Sequence, residues 1–424
     1  MEPSLESVTL PCSVDVAIVG GGVVGIACSL ELARRGARVL VLERDRVGHG
    51  CSFGNAGWLT PSLAAPLANP SLVFKSLVWL LDPESPLYIQ PRVDPAFLRW
   101  LAGFLLASRR DRFARGASAL VELCRVSVDL WEELARRSPE GFGFERHGLI
   151  EVIEQPAALE ASRADIERLS RSGIRAEFWS SDEVREREPV IVGRQVGGWY
   201  FPDDAHCEPY PAARALAAEA RKAGVRIAEE TELYGTADDD TGPRRLATTR
   251  GVVVAEKVVL AAGSWSEGVG RMFGLRIPVL GGKGYALVLP RLEPHPTRSI
   301  HLAARKIAVN PHANALRVAG TLELVRDDLS IHERRLNAVL RGAQEMLAIP
   351  RPPVVREVWR GLRPCAPDGM PLIGRARGRG DVWLAAGHQM IGLMSALGTA
   401  RLLGELMTGA TPTFDPEPFR ADRY

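Results

Sequence analysis

The sequence predicts an α/β fold: a parallel sheet with helices on its faces, joined to a second, α+β domain built on an antiparallel sheet. The parallel sheet is indicated by a strand that ends in glycines, "VDVAIVG" (14–20), which is followed at once by a helix and a second apolar strand, "ARVLVLERD" (37–45). The antiparallel sheet is indicated by "KGYALVLP" (283–290) and "KIAVNPHANALRVAG" (306–320), which alternate like strands around turns.

The bulk composition excludes some classes of partner. A chain of 424 residues, 46% hydrophobic and 25% charged, is typical of a globular protein of two or three domains. The net charge is +2, and basic and acidic residues are interspersed, so no basic tract is available to neutralise phosphates. We therefore expect no nucleic-acid partner.

Cysteine and histidine spacing predicts no metal site. Neither the six cysteines nor the eight histidines show the spacing of a ligand set. Widely separated cysteines also favour a reduced, cytoplasmic location, and the acidic start "MEPSLESVTLPC" is unlike a secretory signal peptide.

Two apolar runs are candidates for contact with a membrane. "SLVFKSLVWLL" (71–81) and "FLRWLAGFLLA" (97–107) each reach about half the length of a membrane span. We expect buried or interfacial helices there. Peripheral contact with the inner face of a membrane remains an alternative.

A glycine fingerprint predicts a bound dinucleotide. "GGGVVG" places Gly20, Gly22 and Gly25 in G-x-G-x-x-G spacing between a strand and a helix. The first glycine permits a tight turn, the second lets a pyrophosphate approach the backbone, and the third lets the helix pack closely on the strand. Free N–H groups at the helix start favour an anion. Glu43, at the end of the next strand, can accept hydrogen bonds from a ribose.

The segments that follow favour FAD over NAD. "CSFGNAGWLTPS" (51–62) stands where a simple NAD domain usually begins another helix, and it offers N–H groups for further phosphate and ring contacts. "AAGSW" (261–265) offers another close backbone approach. A cofactor touched by such distant segments is large and permanently held. The predicted FAD-binding domain comprises 1–90, 205–275 and 350–424, and the predicted substrate-binding domain comprises 91–204 and 276–349.

Together these motifs resemble the FAD-dependent D-amino-acid oxidase superfamily, and within it the D-amino-acid dehydrogenases. The resemblance covers nearly the whole chain. It rests on "VAIVGGGVVGIACSLELARRGARVLVLERD", "SFGNAGWLTPSLAAPLANP", "GGKGYALVLP", "GLRPCAPDGMPLIG" and "LAAGHQMIGLMSALGTARLLGELMTG". Many flavoproteins share the N-terminal glycines, whereas the S-x-x-N-A-G loop combined with GLRP-x-x-PDG-x-P and AAGH is much more specific. The resemblance implies a two-domain flavoprotein that oxidises an amine beside a carboxylate.

Carried over to this sequence, the resemblance implies cofactor contacts at the start, middle and end of the chain. The expected contacts are Gly20, Gly22, Val23, Val24, Gly25, Glu43, Arg44, Ser52, Asn55, Ala56, Gly57, Leu59, Leu233, Ala262, Gly263, Trp265, Gly361, Gly387, His388, Gly392 and Leu393. "GHQMIGL" would bring N–H groups and the positive end of the next helix to the flavin. Some members attach FAD covalently through a histidine of the N-terminal loop. Asn55 stands at the nearest position, so we expect noncovalent FAD.

The resemblance also implies substrate and catalytic residues. Arg363 would bind the substrate carboxylate in a bidentate fork, which suits a planar guanidinium in charge and geometry. Tyr285 matches a tyrosine near the flavin, although a half-buried strand tyrosine is an equal alternative. His301 and Arg305 lie where related enzymes place substrate-side groups, but the dehydrogenases carry a tyrosine at the Arg305 position. His388 is assigned to flavin contact or pocket lining, because hydride transfer needs alignment rather than a strong base.

The expected activity is FAD-dependent oxidation of D-amino acids by hydride transfer from Cα to flavin N5. The imino product would hydrolyse to a 2-oxo acid and ammonia, or remain a pyrroline carboxylate if the substrate is D-proline or hydroxy-D-proline. Electrons would pass to a quinone or another carrier. Two alternatives stay open: a glycine or sarcosine-type amine oxidase that uses O₂, and a non-catalytic flavin-binding subunit. Enantiomer and oligomeric assembly also stay open.

Overall fold

A computed structural model gives the structure of the protein, and it describes residues 10–70, 82, 84–92, 94–237 and 243–424. The apolar run 71–81, for which the sequence predicts a buried or interfacial helix, lies outside the described residues.

Helices separate groups of one to four strands along the chain. The strands of the described residues are β1 (Ser13–Val19), β2 (Val39–Leu42), β3 (Trp58–Leu59), β4 (Leu87–Ile89), β5 (Leu149–Ile153), β6 (Glu177–Ser180), β7 (Gly197–Phe201), β8 (Ala205–His206), β9 (Arg226–Ala228), β10 (Leu233–Ala237), β11 (Arg244–Thr248), β12 (Gly251–Leu260), β13 (Leu280–Pro290), β14 (Ser299–Leu302), β15 (Ile307–His312), β16 (Ala315–Leu324), β17 (Glu357–Cys365), β18 (Leu372–Arg375) and β19 (Val382–Ala386). The helices of the same residues are α1 (Val23–Arg34), α2 (Pro95–Ala107), α3 (Arg110–Arg137), α4 (Pro156–Arg171), α5 (Ser181–Arg187), α6 (Pro209–Lys222), α7 (Ser266–Met272), α8 (Glu333–Met346) and α9 (Gly392–Thr408).

The first sheet is parallel at its centre, as the strand–helix–strand motif predicts. β1 lies between β12 and β2, and β9 continues the sheet beyond β2, all in parallel. β19 adds in parallel to the C-terminal half of β12, whereas β10 and β11 extend the N-terminal half as antiparallel strands. Neighbouring residues of β1 enter two different apolar clusters, because Ile18 belongs to one and Val19 to the other. The sheet is therefore covered on both faces.

The second sheet is mainly antiparallel. Its strands follow the order β17, β13, β16, β15, β14, β5, β7 and β6, with β4 paired in parallel to part of β16. α8 packs on one face, where Val339 and Ala343 join the apolar side chains of the sheet. The opposite face carries the β17 residues that meet the N-terminal loop. Two domains of these types confirm the predicted α/β class.

Three elements depart from the predicted segment boundaries. β4 and β17 lie in segments assigned to the FAD-binding domain, yet they pair with β16 and β13 of the second sheet. α3 lies in the predicted substrate segment 91–204, yet it packs on α9 of the first domain. The indole N–H of Trp131 donates to the carbonyl of Leu393 at 3.0 Å, and the N–H of Leu397 donates to Ser127 Oγ at 3.2 Å. The boundaries as a whole stay a prediction, but α3 belongs to the core of the first domain.

Candidate active site

A cavity of about 480 Å³ lies beyond the carboxyl ends of β1, β2 and β12. Ligands of open parallel sheets bind at this edge, because the loops that follow the strands meet there. The predicted cofactor contacts that line the cavity are Gly20, Gly22, Val23, Val24, Glu43, Arg44, Ser52, Asn55, Leu233, Ala262, Gly263, Trp265, His388, Gly392 and Leu393. Residues distant in sequence therefore form one elongated site.

The other predicted contacts do not line the cavity. They are Gly25, Ala56, Gly57, Leu59, Gly361 and Gly387. A Cβ on Gly25 would collide with the carbonyl oxygen of Gly20, so this glycine lets α1 pack on β1. Gly57 turns the chain at φ +88°, against the carbonyl of Cys207. Leu59 is fully buried in the pairing of β3 with β8.

The phosphate end of the cavity is built by the start of α1. Gly20 has φ +113°, which turns the chain from β1 into the helix. The N-cap of α1 is Gly22, which has no capping side chain. The N–H of Val23 donates to Ser52 Oγ at 3.0 Å, so the loop after β2 is tied to the helix start. A helix start carries partial positive charge and suits a pyrophosphate.

Glu43 marks the nucleoside end. Its Oε2 accepts from the N–H of Gly21 at 2.6 Å and its Oε1 from the N–H of Asp45 at 2.9 Å. Burial raises the pKa of Glu43, and these backbone hydrogen bonds oppose the rise. The guanidinium of Arg44 stacks 4.1 Å from the ring of Trp265 and closes the cavity beside it.

The opposite end is formed by the start of α9. Gly392 and Leu393 line the cavity, and the helix begins without a capping side chain. His388 is buried, which lowers its pKa to about 3, and its Nε2 lies 3.1 Å from Thr399 Oγ1. The imidazole is therefore neutral at physiological pH and is one wall of the site.

These residues fit FAD. Ser264 lines the cavity, and its hydroxyl oxygen is buried with no hydrogen-bond partner in the described structure. A ligand with many hydrogen-bonding groups would satisfy it. Uncapped helix starts at both ends of the site suit a diphosphate at one end and an electron-rich ring at the other. Asn55 is bonded within the protein: its Oδ1 accepts from the N–H of Gly57 at 2.9 Å, and its Nδ2 donates to the carbonyl of Met390 at 3.3 Å.

Arg363 lies on the face of the second sheet that meets the cofactor loop. Gly284 pairs with Gly361, so Arg363 shares their face, and a Cβ on Gly284 would overlap its guanidinium. Its Nη1 donates to the carbonyl of Thr321 at 2.6 Å. Burial lowers the pKa of Arg363. Burial also raises the pKa of the Cys51 thiol to about 11, and the positive charge of Arg363 opposes that rise. Across the described ranges, no carboxylate pairs with this guanidinium.

His301 lies on the same face of the second sheet as Arg363, but several strands away. Paired residues connect Trp359, Ala286, Ala319, Ala308 and His301 in one row across the sheet. Four strand spacings of about 4.8 Å separate the ends of this row by roughly 19 Å. The ring nitrogen Nδ1 of His301 lies 2.8 Å from Glu151 Oε2, and its ring meets the edge of Trp58.

Tyr285 and Arg305 do not reach Arg363, which corrects the predicted substrate contacts. Tyr285 follows Gly284 in an unbroken β13–β17 register, so its side chain lies on the opposite face of the sheet. Its hydroxyl accepts from the N–H of His332 at 3.1 Å. Arg305 donates twice to Glu154, at 2.9 Å each, and also pairs with Glu345. Its charge is neutralised within the protein.

Sequence reasoning missed three residues near Arg363. Cys51 lines the cofactor cavity, and Thr321 is bonded to the guanidinium. The indole of Trp359 lies so close to Gly54 and Gly361 that a Cβ on either glycine would overlap it. The glycine of the "SFGNAG" loop and the W-x-G spacing of "WRGLRP" were the available signals for this packing. Thr321 has no signal of its own in the sequence.

No metal centre accompanies the cavity in the described part of the chain, because no group of three or more His, Cys, Asp and Glu residues there could hold an ion.

Comparisons with known proteins agree with this geometry. A family model described as FAD dependent oxidoreductase matches residues 15–406. D-amino acid dehydrogenase 1 of Mesorhizobium japonicum is 30% identical over 96% of this chain and 99% of its own, and D-amino acid dehydrogenase of Chromohalobacter salexigens is 29% identical over the same shares. Among solved structures, glycine oxidase from Geobacillus kaustophilus has a TM-score of 0.78 at 25% identity and covers 98% of this chain and 100% of that one. L-proline dehydrogenase from P. horikoshii has a TM-score of 0.77 at 20% identity, with 98% of each chain covered.

Proposed function

The chain belongs to the FAD dependent oxidoreductase family, as its motifs indicate, and from this premise we propose that it is a dehydrogenase of D-amino acids. The observation that carries the proposal is Arg363. A half-buried cation without an acidic partner in the described structure, beside the FAD cavity, calls for an anion. The carboxylate of an amino acid has the charge and the planar geometry that a guanidinium fork binds. The dehydrogenase relatives support the choice of D-amino acids.

The protein contributes binding, orientation and exclusion of water. Arg363 holds the carboxylate, and its bond to the Thr321 carbonyl fixes the direction of the fork. Gly284 and Gly361 leave room on the sheet face for the guanidinium of Arg363 and the indole of Trp359. His388 stays neutral and lines the wall, and its low pKa makes it a weak base for the substrate amine. When bound, the flavin supplies the acceptor for the hydride that leaves Cα.

The products follow from this chemistry. Loss of a hydride from Cα and a proton from nitrogen gives an imino acid, which water converts to a 2-oxo acid and ammonia. We propose that a quinone or another carrier then takes the two electrons from the enzyme. D-proline and hydroxy-D-proline remain candidate substrates, since each offers a carboxylate beside an oxidisable C–N bond.

Contact with a membrane is part of this proposal. Every helix of the described residues is too short or too polar to cross a bilayer. α2, however, exposes Leu98, Leu105 and Leu106, and arginines follow at 109 and 110. Apolar side chains beside basic ones suit the surface of an anionic bilayer, where a quinone would be available. Sedimentation with anionic vesicles should be lost when Leu105 and Leu106 are both replaced by glutamate, while dye-linked activity stays unchanged.

A glycine or sarcosine-type oxidase is the second candidate, favoured by the likeness to a glycine oxidase at 25% identity. An anaerobic screen of D- and L-amino acids, prolines and N-methylglycines for bleaching of the bound flavin tests both. Bleaching by D-amino acids with slow peroxide formation and fast dye reduction supports the dehydrogenase. Fast stoichiometric peroxide contradicts it. No bleaching by any compound would favour a non-catalytic flavin-binding subunit.

A further inference from the structure

β16 contains a bulge at Thr321, directly opposite Gly284. Lys283 pairs with Glu323 and Tyr285 pairs with Gly320, so Thr321 and Leu322 together face one residue of β13. Thr321 adopts φ +63°, a left-handed conformation that is rare for a β-branched residue. Strained backbone of this kind persists only where the surrounding structure imposes it, and it clusters at functional sites.

The bulge turns a carbonyl toward Arg363. In a regular strand the carbonyl of Thr321 would take part in the sheet ladder, whereas here it accepts from Nη1 of Arg363 at 2.6 Å. This bond uses one nitrogen of the guanidinium and leaves the other donors for a ligand. Thr321 therefore positions the fork through its backbone.

The side chain of Thr321 is the second observation. Its hydroxyl oxygen is buried and has no hydrogen-bond partner in the described structure. A buried hydroxyl without a partner is costly, so native proteins pair such groups with protein, water or ligand. No carboxylate of the described chain pairs with the adjacent guanidinium either. The residue whose carbonyl holds the guanidinium therefore also carries a buried hydroxyl without a partner.

We infer that Thr321 is a substrate-binding residue: its hydroxyl donates a hydrogen bond to the carboxylate held by Arg363. A carboxylate has about four lone-pair sites, so it can accept from the fork and from the hydroxyl together. The inference rests on the proposed function, since it assigns a third donor to the same carboxylate. No covalent or redox step is involved.

Three substitutions of Thr321 distinguish the loss of its hydroxyl from the effect of its strained backbone. Thr321→Val keeps the shape and removes the hydroxyl, Thr321→Ser keeps the hydroxyl, and Thr321→Gly keeps the backbone carbonyl and relieves the positive φ. We expect the Val and Gly variants to raise KM for the best D-amino acid about tenfold with kcat little changed, because a uniform binding contact is lost. The Ser variant should stay within about twofold of the wild type. The Gly variant should also unfold at a higher temperature, so weaker binding cannot be ascribed to lost stability.

Benzoate, a carboxylate without an amine, is the direct probe. Its dissociation constant, measured by perturbation of the flavin absorbance in the holoenzyme, should rise about tenfold in Thr321→Val and not in Thr321→Ser. Equal benzoate affinity in Thr321→Val and the wild type would overturn the inference while leaving the proposed function intact. A wild type that binds no benzoate and is bleached by no amino acid would overturn both.

Discussion

Replacing Arg363 with alanine removes the cation that would bind the substrate carboxylate. The fork offers two charged hydrogen bonds, because one guanidinium nitrogen is already engaged by Thr321. A hydrogen bond to a charged group contributes about 1.5–3 kcal/mol, so the pair contributes roughly 3–6 kcal/mol. Since the guanidinium is only half-buried, we expect the lower part of this range. That corresponds to a loss of roughly 100- to 1,000-fold in kcat/KM, at about 1.4 kcal/mol per tenfold.

Arg363→Lys should cause a smaller loss of kcat/KM than Arg363→Ala. Lysine keeps the charge but cannot form the planar fork, so the loss should be roughly tenfold to thirtyfold. Steady-state kinetics with an artificial dye as acceptor measure kcat/KM of the alanine and lysine variants. The absorbance spectrum of each variant gives its FAD content. FAD content should stay at the wild-type level, because Arg363 does not line the dinucleotide cavity.

Arg360 is the matched control. It lies on the same strand but on the opposite face, it is exposed, and its Nε donates to the carbonyl of Leu329 at 3.2 Å. Arg360→Ala should change kcat/KM by no more than about twofold. Loss of FAD from Arg363→Ala with little change in KM would refute the reasoning. Equal damage from both alanine variants would refute it as well.

Three further predictions follow from glycines and from one buried acid. Gly284→Ala should raise KM at least about tenfold without loss of FAD, measured by the same kinetics, because its Cβ would displace the guanidinium of Arg363. Gly25→Ala should instead lower the FAD bound per chain in the spectrum, because its Cβ would push α1 away from Gly20. Burial raises the pKa of Asp204 from 3.8 to about 7; the folded-state pKa is above the unfolded one, so this group favours folding below pH 4 and the benefit is lost as pH rises through 7. Asp204→Asn should therefore gain in unfolding temperature relative to the wild type by more at pH 8.5 than at pH 5, and an equal difference at both values would contradict the assignment.

The cofactor site could be predicted from sequence because its signals are local. Gly20, Gly25 and Glu43 act through one turn, one helix start and the end of the next strand, so their spacing alone implies their geometry. The assignment of FAD rather than NAD rested on the further loop at 51–62 and on the turn "AAGSW" (261–265). Arg363 could be singled out because "GLRPCAPDGMPLIG" resembles a motif of the D-amino-acid oxidase superfamily, in which the arginine binds the substrate carboxylate.

The substrate side was less predictable because it depends on pairings between distant segments. Tyr285 was expected near the flavin as a substrate contact, but the register of β13 with β17 places it on the sheet face opposite Arg363. Arg305 carries a charge that sequence reasoning left free, and it is neutralised by Glu154 and Glu345, each far away along the chain. Thr321 could not be found at all, because threonine favours ordinary strands and gives no sign of a bulge.

The arrangement of charge explains why these parts belong to one site. FAD and an amino acid both bring negative charge, and the protein meets the first with backbone dipoles and the second with a side chain. At the start of α1 the carboxylate of Glu43 accepts from the N–H of Gly21, and the helix dipole is left to meet the pyrophosphate. Arg363 carries a full charge in a partly desolvated place, and an acid beside it would compete with the substrate for the same donors. Gly284 and the Thr321 carbonyl therefore keep the guanidinium oriented. Because no carboxylate among the described residues pairs with it, its charge is left for a ligand.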